Sequence, residues 1–245
     1  MTQIRSNAER FLIAFTTLEN EMNRRIKSDR YVSYAELVRR LSKIDRNYQR
    51  FQKHLEEFGD LRNAIVHDRI DGEVIAEPHL KFVEMMEHIT KILTEPERVK
   101  DNYLRPVHIC FEEDKLSDVV DWLVGKHHSK LPVYTRGMHF VGLLTTDALS
   151  EYLIQNIGNI QGRLPDVQVK ELLSKDKKQR NVKFIPVHAS IISAVTEFEH
   201  ALTSGQRLNA LIITQDGASN QKPLGIISVS DLPSIYEKLN MHLLR

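Results

Sequence analysis

Residues 141–149, "VGLLTTDAL", and residues 224–232, "LGIISVSDL", decide how the second half of this chain is read. Each is a short apolar run led by a glycine, the length of a buried strand. Each gives way, at Thr145 or Ser228, to hydroxyl and carboxylate residues that open helices. Two such segments in one chain suggest a duplicated unit.

Working outward, the same order of elements appears twice. "PVHICF", "LSDVVDWLVGK", "KLPVYT", "HFVGLLT" and "DALSEYLIQN" read as β-α-β-β-α, with "TRGM" turning between the second and third strands. "KFIPVHAS", "IISAVTEFEHAL", "NALIIT", "LGIISV" and "SDLPSIYEKL" repeat that order. Val99-Lys100-Asp101 matches Val169-Lys170-Glu171, and Pro106-Val107-His108 matches Pro186-Val187-His188. The second copy carries longer loops, as tandem units do when they diverge.

Before Lys100 the pattern is helical only. Ile4, Ala8, Phe11, Leu12, Phe15, Leu18, Met22 and Ile26 recur at helical spacing. Ser33 with Glu36 three residues on is a capping-box arrangement for a second helix. Ile44, Tyr48, Phe51, Leu55, Phe58 and Ile65 mark a third, ending near the Asp71-Gly72 turn signal, and Pro78 opens a fourth near its first turn. The expected fold is α+β and multidomain: an all-α four-helix bundle over 1–95, then repeats over 97–158 and 166–245.

The chain has 245 residues, 41% apolar and 27% charged, with a formal net charge of +1, so any nucleic-acid reading must rest on local clustering. Cys110 is the single cysteine, which excludes an intrachain disulfide and points to a reducing compartment; the cytoplasm is the expected location. No apolar run approaches a membrane span. His127-His128 are adjacent, not four apart, and Cys110 has no cysteine partner, so no metal site is expected. His108 and His188 are taken as equivalent strand positions, structural or cleft-lining. Trp122 reads as core or interface packing.

Residues 97–245 resemble a tandem pair of CBS domains, through the "VKD" entry, "SKLPV" and the glycine-led third strand. The resemblance implies a regulatory sensor of adenosyl ligands: AMP, ADP, ATP, S-adenosylmethionine or cyclic di-AMP. Gly225, Ser228 and Asp231 match that family's ligand signature, with a phosphate at the start of the last helix and the carboxylate on the ribose hydroxyls. The first copy keeps Gly142 and Thr145 but holds Ala148 where the Asp is expected, with Asp147 one residue early. That displaces the carboxylate by about 100° around a helix. Ser228, Ser230 and Asp231 also suit simple cap and first-turn positions.

The segment "RNAIVH", residues 62–67, places Asn63 and His67 on one helix face with Arg62 beside them. With the bundle around it, it resembles the HEPN superfamily. That implies metal-independent endoribonuclease chemistry: His67 moves the proton, Arg62 neutralises the phosphorane and Asn63 orients, in a two-fold homodimer. Arg39, Arg40, Lys43, Arg46 and Arg50 form a basic run that would attract RNA, with Tyr31, Tyr34 and Tyr48 placed to stack on bases. The alternative is a non-catalytic regulator whose helical part dimerises or binds a partner.

Overall fold

The structure, a computed structural model, describes residues 5–67, 69–70, 73–74, 77–125, 130–156, 167–175 and 181–240. The Asp71-Gly72 turn, the His127-His128 pair and the side chains of His67 and Trp122 lie outside the described residues. Two compact units divide the chain, one of residues 1–97, 190–197 and 232–245, the other of 98–189 and 198–231.

In the first unit, α1 (Asn7–Ile26) starts at a capping box: Ser6 accepts from the Glu9 amide, and Glu9 accepts from the Ser6 amide. It buries Ala8, Phe11, Phe15, Leu18 and Met22 of the expected stripe and also Ala14, while Leu12 and Ile26 are half-buried. Ser33 caps α2 (Tyr34–Ile44), but only half of the expected box forms, because Glu36 turns to Arg39 and Arg40 instead. Helix α3 (Arg46–His67) buries Tyr48, Phe51, Leu55, Phe58 and Ile65. Ile44 belongs to α2, not to α3, and is 77% exposed. A short antiparallel hairpin, β1 (Arg69–Ile70) and β2 (Glu73–Val74), follows where only helices were expected. Helix α4 (Leu80–Thr94) is capped by His79, with Pro78 immediately before the cap. Helix α1 packs on α4 and α2, and α2 on α3.

In the second unit a 3-10 turn, Val99–Asp101, precedes the first repeat. That repeat is β3 (Cys110–Phe111), α5 (Leu116–Gly125), β4 (Lys130–Tyr134), β5 (Phe140–Thr145) and α6 (Thr146–Gln155). Helix α7 (Val169–Lys175) leads to the second: β6 (Val182–Pro186), α8 (Ile191–Thr203), β7 (Ala210–Thr214), β8 (Gly225–Ser228), a 3-10 turn at Val229–Asp231 and α9 (Leu232–Lys238). In both sheets the outer pair on one side is parallel (β3–β4, β6–β7) and the hairpin antiparallel (β4–β5, β7–β8). The first repeat's core joins Cys110, Leu116, Val119, Leu123, Leu131, Val133, Leu144, Leu149 and Tyr152 with Val169 and Leu172 of α7. The hairpin turn runs through "TRGM" as expected, with Met138, not Gly137, taking the positive φ of 62°.

The ladders correct one sequence match. Phe111 lies opposite Tyr134 and Pro186 opposite Thr214, while Val133 pairs with Gly142 and Ile213 with Gly225. Phe111 and Pro186 therefore hold the same register position, and Pro106 and Pro186 do not. His108 and His188 are accordingly not equivalent. Val99 and Val169 are: both are fully buried, and each donates its amide to the strand–helix turn of the other repeat, Val99 to the Ala189 carbonyl at 2.9 Å and Val169 to that of Asp114 at 3.0 Å.

Candidate functional site

The exchange of entry segments brings residues far apart in sequence to one cavity. The chain after Val99 runs along the free edge of β8: Leu104 bridges Gly225, and the Arg105 amide donates to the Leu224 carbonyl at 3.1 Å. Gly225 is required there by the close approach of two backbones, since a Cβ would stand 2.2 Å from the Tyr103 carbonyl oxygen.

In front of that contact lies a cavity of about 270 Å³. Arg105, Pro106, Val107 and His108 form one wall, Lys130 and Leu131 of β4 a second, and Ile226, Ser228, Ser230 and Asp231 a third. Residues 106–109 form no strand, although "PVHICF" suggested one from Pro106; proline has no amide to give a ladder.

Asp231 is central. Its Oδ2 accepts from the Ser228 amide at 2.7 Å and the Ser228 hydroxyl at 2.9 Å, and Ser228 Oγ lies 2.8 Å from Ser230 Oγ. Its Oδ1 faces Arg105 Nη2 at 3.5 Å, and that guanidinium also donates to the Ile226 carbonyl at 3.1 Å. The Arg105 side chain is 55% exposed, and pairs that exposed contribute about 0–1 kcal/mol, so a ligand can part them. The helical segment begins just after Ser228, as the sequence suggested, in a 3-10 turn over Val229–Asp231 that runs directly into α9 at Leu232. The Ser228 amide is already taken by Asp231. The basic side chains of Arg105 and Lys130 stand at the same cavity as the start of this helical segment. Among the sequence candidates the structure gathers Ser228 and Asp231 in the lining, and Gly225 is not part of it. Arg105 and Lys130 were missed: the first lies in an unpatterned connector, and the second sits in "SKLPV", which marks only a strand.

The first repeat does not reproduce this arrangement. Thr145 caps α6 by accepting from the Ala148 amide at 3.1 Å, Ala148 is buried, and Asp147 is exposed. By register, Ala148 stands where Asp231 stands, and Ala210 where Lys130 stands. Thr145 and Asp147 line no part of the cavity around Asp231.

On α3, Arg62 Nη1 donates to Asn63 Oδ1 at 3.3 Å, and among the described residues no carboxylate pairs with Arg62. His67 is the last residue of α3. The basic run is largely engaged. Arg39 and Arg40 hold Glu36, Arg46 holds Glu197, and Arg50 sits over Phe51 at 5.7 Å, its pKa lowered by burial and supported by Tyr236. Lys43 is exposed. Glu197, a carboxylate from outside the run, neutralises Arg46. Tyr34 and Tyr48 are not available to bases: Tyr34 stacks on Phe15 at 4.4 Å and Tyr48 is fully buried, whereas Tyr31 is 93% exposed. Burial pushes the Tyr48 hydroxyl up to about 12.

Among the described residues no cluster of three or more His, Cys, Asp or Glu could hold a metal ion, and no helix is long and apolar enough to cross a membrane. No family model and no curated protein matches the chain. Solved structures do resemble it. The CBS domain pair of protein MJ0100 in complex with 5′-methylthioadenosine and S-adenosyl-L-methionine is 15% identical, covering 58% of this chain and 98% of that one at a TM-score of 0.44. CBSX2 in complex with AMP is 16% identical over 59% and 98%, with a TM-score of 0.41. The CBS domain of the bacterial CNNM/CorC family Mg2+ transporter in complex with ATP is 18% identical over 62% and 94%, with a TM-score of 0.42. Likeness at this level does not assign a ligand.

Proposed function

We propose that this protein is a nucleotide-responsive regulator in which a CBS-type pair, 97–158 and 166–245, binds an adenosyl ligand and controls a helical HEPN-like domain, 1–95. The observation that carries the reading is the convergence in one cavity of a carboxylate, two hydroxyls and three basic side chains from both repeats. A carboxylate beside hydroxyls suits a ribose diol, and Arg105, His108 and Lys130 suit phosphate. The ligand class is AMP, ADP, ATP, S-adenosylmethionine or cyclic di-AMP. A thermal-shift panel of these compounds tests it, because binding to the native state raises Tm. Asp231→Ala should abolish the shift and Asp147→Ala should leave it; equal effects would remove the site assignment.

A second reading concerns output. Arg62 and Asn63 lie side by side on α3, and Arg62 has no carboxylate partner among the described residues. With His67 these groups suit metal-independent cleavage of RNA by a cytoplasmic homodimer. Single-stranded RNA should be cut in EDTA to leave 2′,3′-cyclic phosphate ends, and Arg62→Ala and His67→Ala should not cut. Intact RNA under those conditions would favour a non-catalytic helical domain for dimerisation or partner binding.

A further inference from the structure

One boundary between the two compact units falls at the candidate site itself. Asp231 ends a stretch of one unit, and Leu232, the first residue of α9, begins the last stretch of the other. Asp231 also closes the 3-10 turn before that helix, where its Oδ2 accepts from the Ser228 amide at 2.7 Å and the Ser228 hydroxyl at 2.9 Å. The carboxylate that lines the cavity and the start of α9 are therefore parts of one turn. That turn passes little slack along the chain. No glycine lies between Gly225 and Asn240, and Pro233 fixes φ in the first turn of α9.

Helix α9 is in turn tied into the helical unit. Arg50 of α3 donates to the Tyr236 hydroxyl, and Lys238 pairs with Glu97 at 2.8 Å. Ile235 and Leu239, four residues apart, are buried. Leu239 borders a cavity of about 80 Å³ together with Ile92 of α4 and Ile192 of α8, which leaves the end of α9 room to shift. We propose that α9 is the output helix of the nucleotide site, passing the position of Asp231 to α3 through Tyr236. This inference rests on the nucleotide reading above and adds the route of its regulation. A ligand on Asp231 fixes the turn, and the turn fixes the first residues of α9. An α9 anchored on α3 likewise pre-positions the turn for the ligand. These are one coupling seen from two ends, so each end reports on the other. The helix that receives it, α3, is the one that carries Arg62, Asn63 and His67.

Calorimetric titration of the full chain with AMP and with ATP tests the route. Tyr236→Phe removes the hydroxyl that receives Arg50, and Tyr236 is not part of the cavity lining. It should weaken whichever nucleotide the wild type binds by about 5- to 150-fold, the usual span of coupling between sites. Thr90→Val is the control: it removes the bond from Thr90 of α4 to the Ala14 carbonyl of α1, 3.3 Å, which involves neither α3 nor α9. Its affinity should stay within about twofold of the wild type. Hydrogen exchange supplies the converse. Saturating nucleotide should slow the α3 amides near Arg50 more than those of α1 in the wild type, and no more in Tyr236→Phe. A ligand that only raises global stability slows both helices alike. Affinity unchanged or raised in Tyr236→Phe, or equal slowing of α1 and α3 in the wild type, would overturn the proposal and leave the nucleotide site standing. Equal losses in Tyr236→Phe and Thr90→Val would reduce the effect to general stability and overturn it as well. A wild type that bound neither nucleotide would overturn the nucleotide reading and the output helix with it.

Discussion

Gly225→Ala should be severely destabilising although it adds a single methyl group. The new Cβ would lie 2.2 Å from the Tyr103 carbonyl oxygen, 3.1 Å from its carbon and 2.9 Å from Ile213 Cδ1. Non-bonded carbon contacts are comfortable near 3.5–4.0 Å, so the connector must retreat from β8 by roughly 1 Å. That retreat forfeits the Arg105 amide bond to Leu224 and the guanidinium bond to Ile226, both 3.1 Å. Two hydrogen bonds at about 1 kcal/mol each, with about 1–3 kcal/mol for overpacking, give about 3–5 kcal/mol. For a chain of this length that lowers Tm by about 6–20 °C. Scanning calorimetry reads the total, and hydrogen exchange at the Arg105 amide reads the local cause. Gly205→Ala is the control: its φ is +66° with nothing within 4 Å of a Cβ, so only backbone strain of about 1–2 kcal/mol is expected. If Gly225→Ala cost no more than Gly205→Ala, the close approach would not be the reason for the glycine.

Three further outcomes are expected. Hydrogen bonds from Arg39, then from Arg40, lower the Glu36 pKa to about 2. Its contribution to stability is therefore present above the ordinary value of 4.5 and lost as pH falls towards 2; carboxyl NMR should show this, and Arg39→Ala with Arg40→Ala should restore ordinary titration. Burial pushes the Cys110 thiol up to about 12, so a thiol reagent at neutral pH should react only at the rate of unfolding, and prompt labelling of native protein would contradict its burial. Asn47 donates to Ser193 Oγ at 3.0 Å and accepts from Thr196 at 3.4 Å, so Asn47→Ala should cost about 1–3 kcal/mol in urea titration. Exposed Asn63→Ala should stay within about 0.5 kcal/mol.

Local and periodic features were legible in the sequence. The stripe of α1 and the glycine-led hairpins follow from spacing, and the mismatch of Asp147 against Asp231 was visible as a one-residue shift. The Ser6–Glu9 box is equally visible, as Ser-x-x-Glu, although only the box at Ser33 was expected. What failed depended on distance or register. The shared Pro-Val-His tripeptide suggested one alignment, but the hydrogen-bonded ladder sets another, because register is fixed by the buried faces of strands. Arg105 lies 121 residues before the Ile226 carbonyl that holds it, and no local pattern links them. Only Asp29, Glu36 and Asp45 oppose the basic run locally; Glu197, which neutralises Arg46, lies 151 residues away and no local pattern shows it.

The division of the chain into interleaved parts bears on how the protein is made. The helical unit is composed of three stretches, ending with residues from Leu232 onward. Helices α1–α4 leave the ribosome long before Asn47 can meet Ser193, Arg50 can meet Tyr236, or Glu97 can meet Lys238. At synthesis rates of about 5–20 residues per second, the chain between residues 97 and 232 takes roughly 7–27 s to appear. For that interval the nascent bundle carries surfaces that its own later sequence will cover. A fragment ending at residue 97 would remain in that condition permanently, and neither unit can be released from the other by a single cut. A helical part transferred to another protein as residues 1–97 alone would carry those surfaces bare.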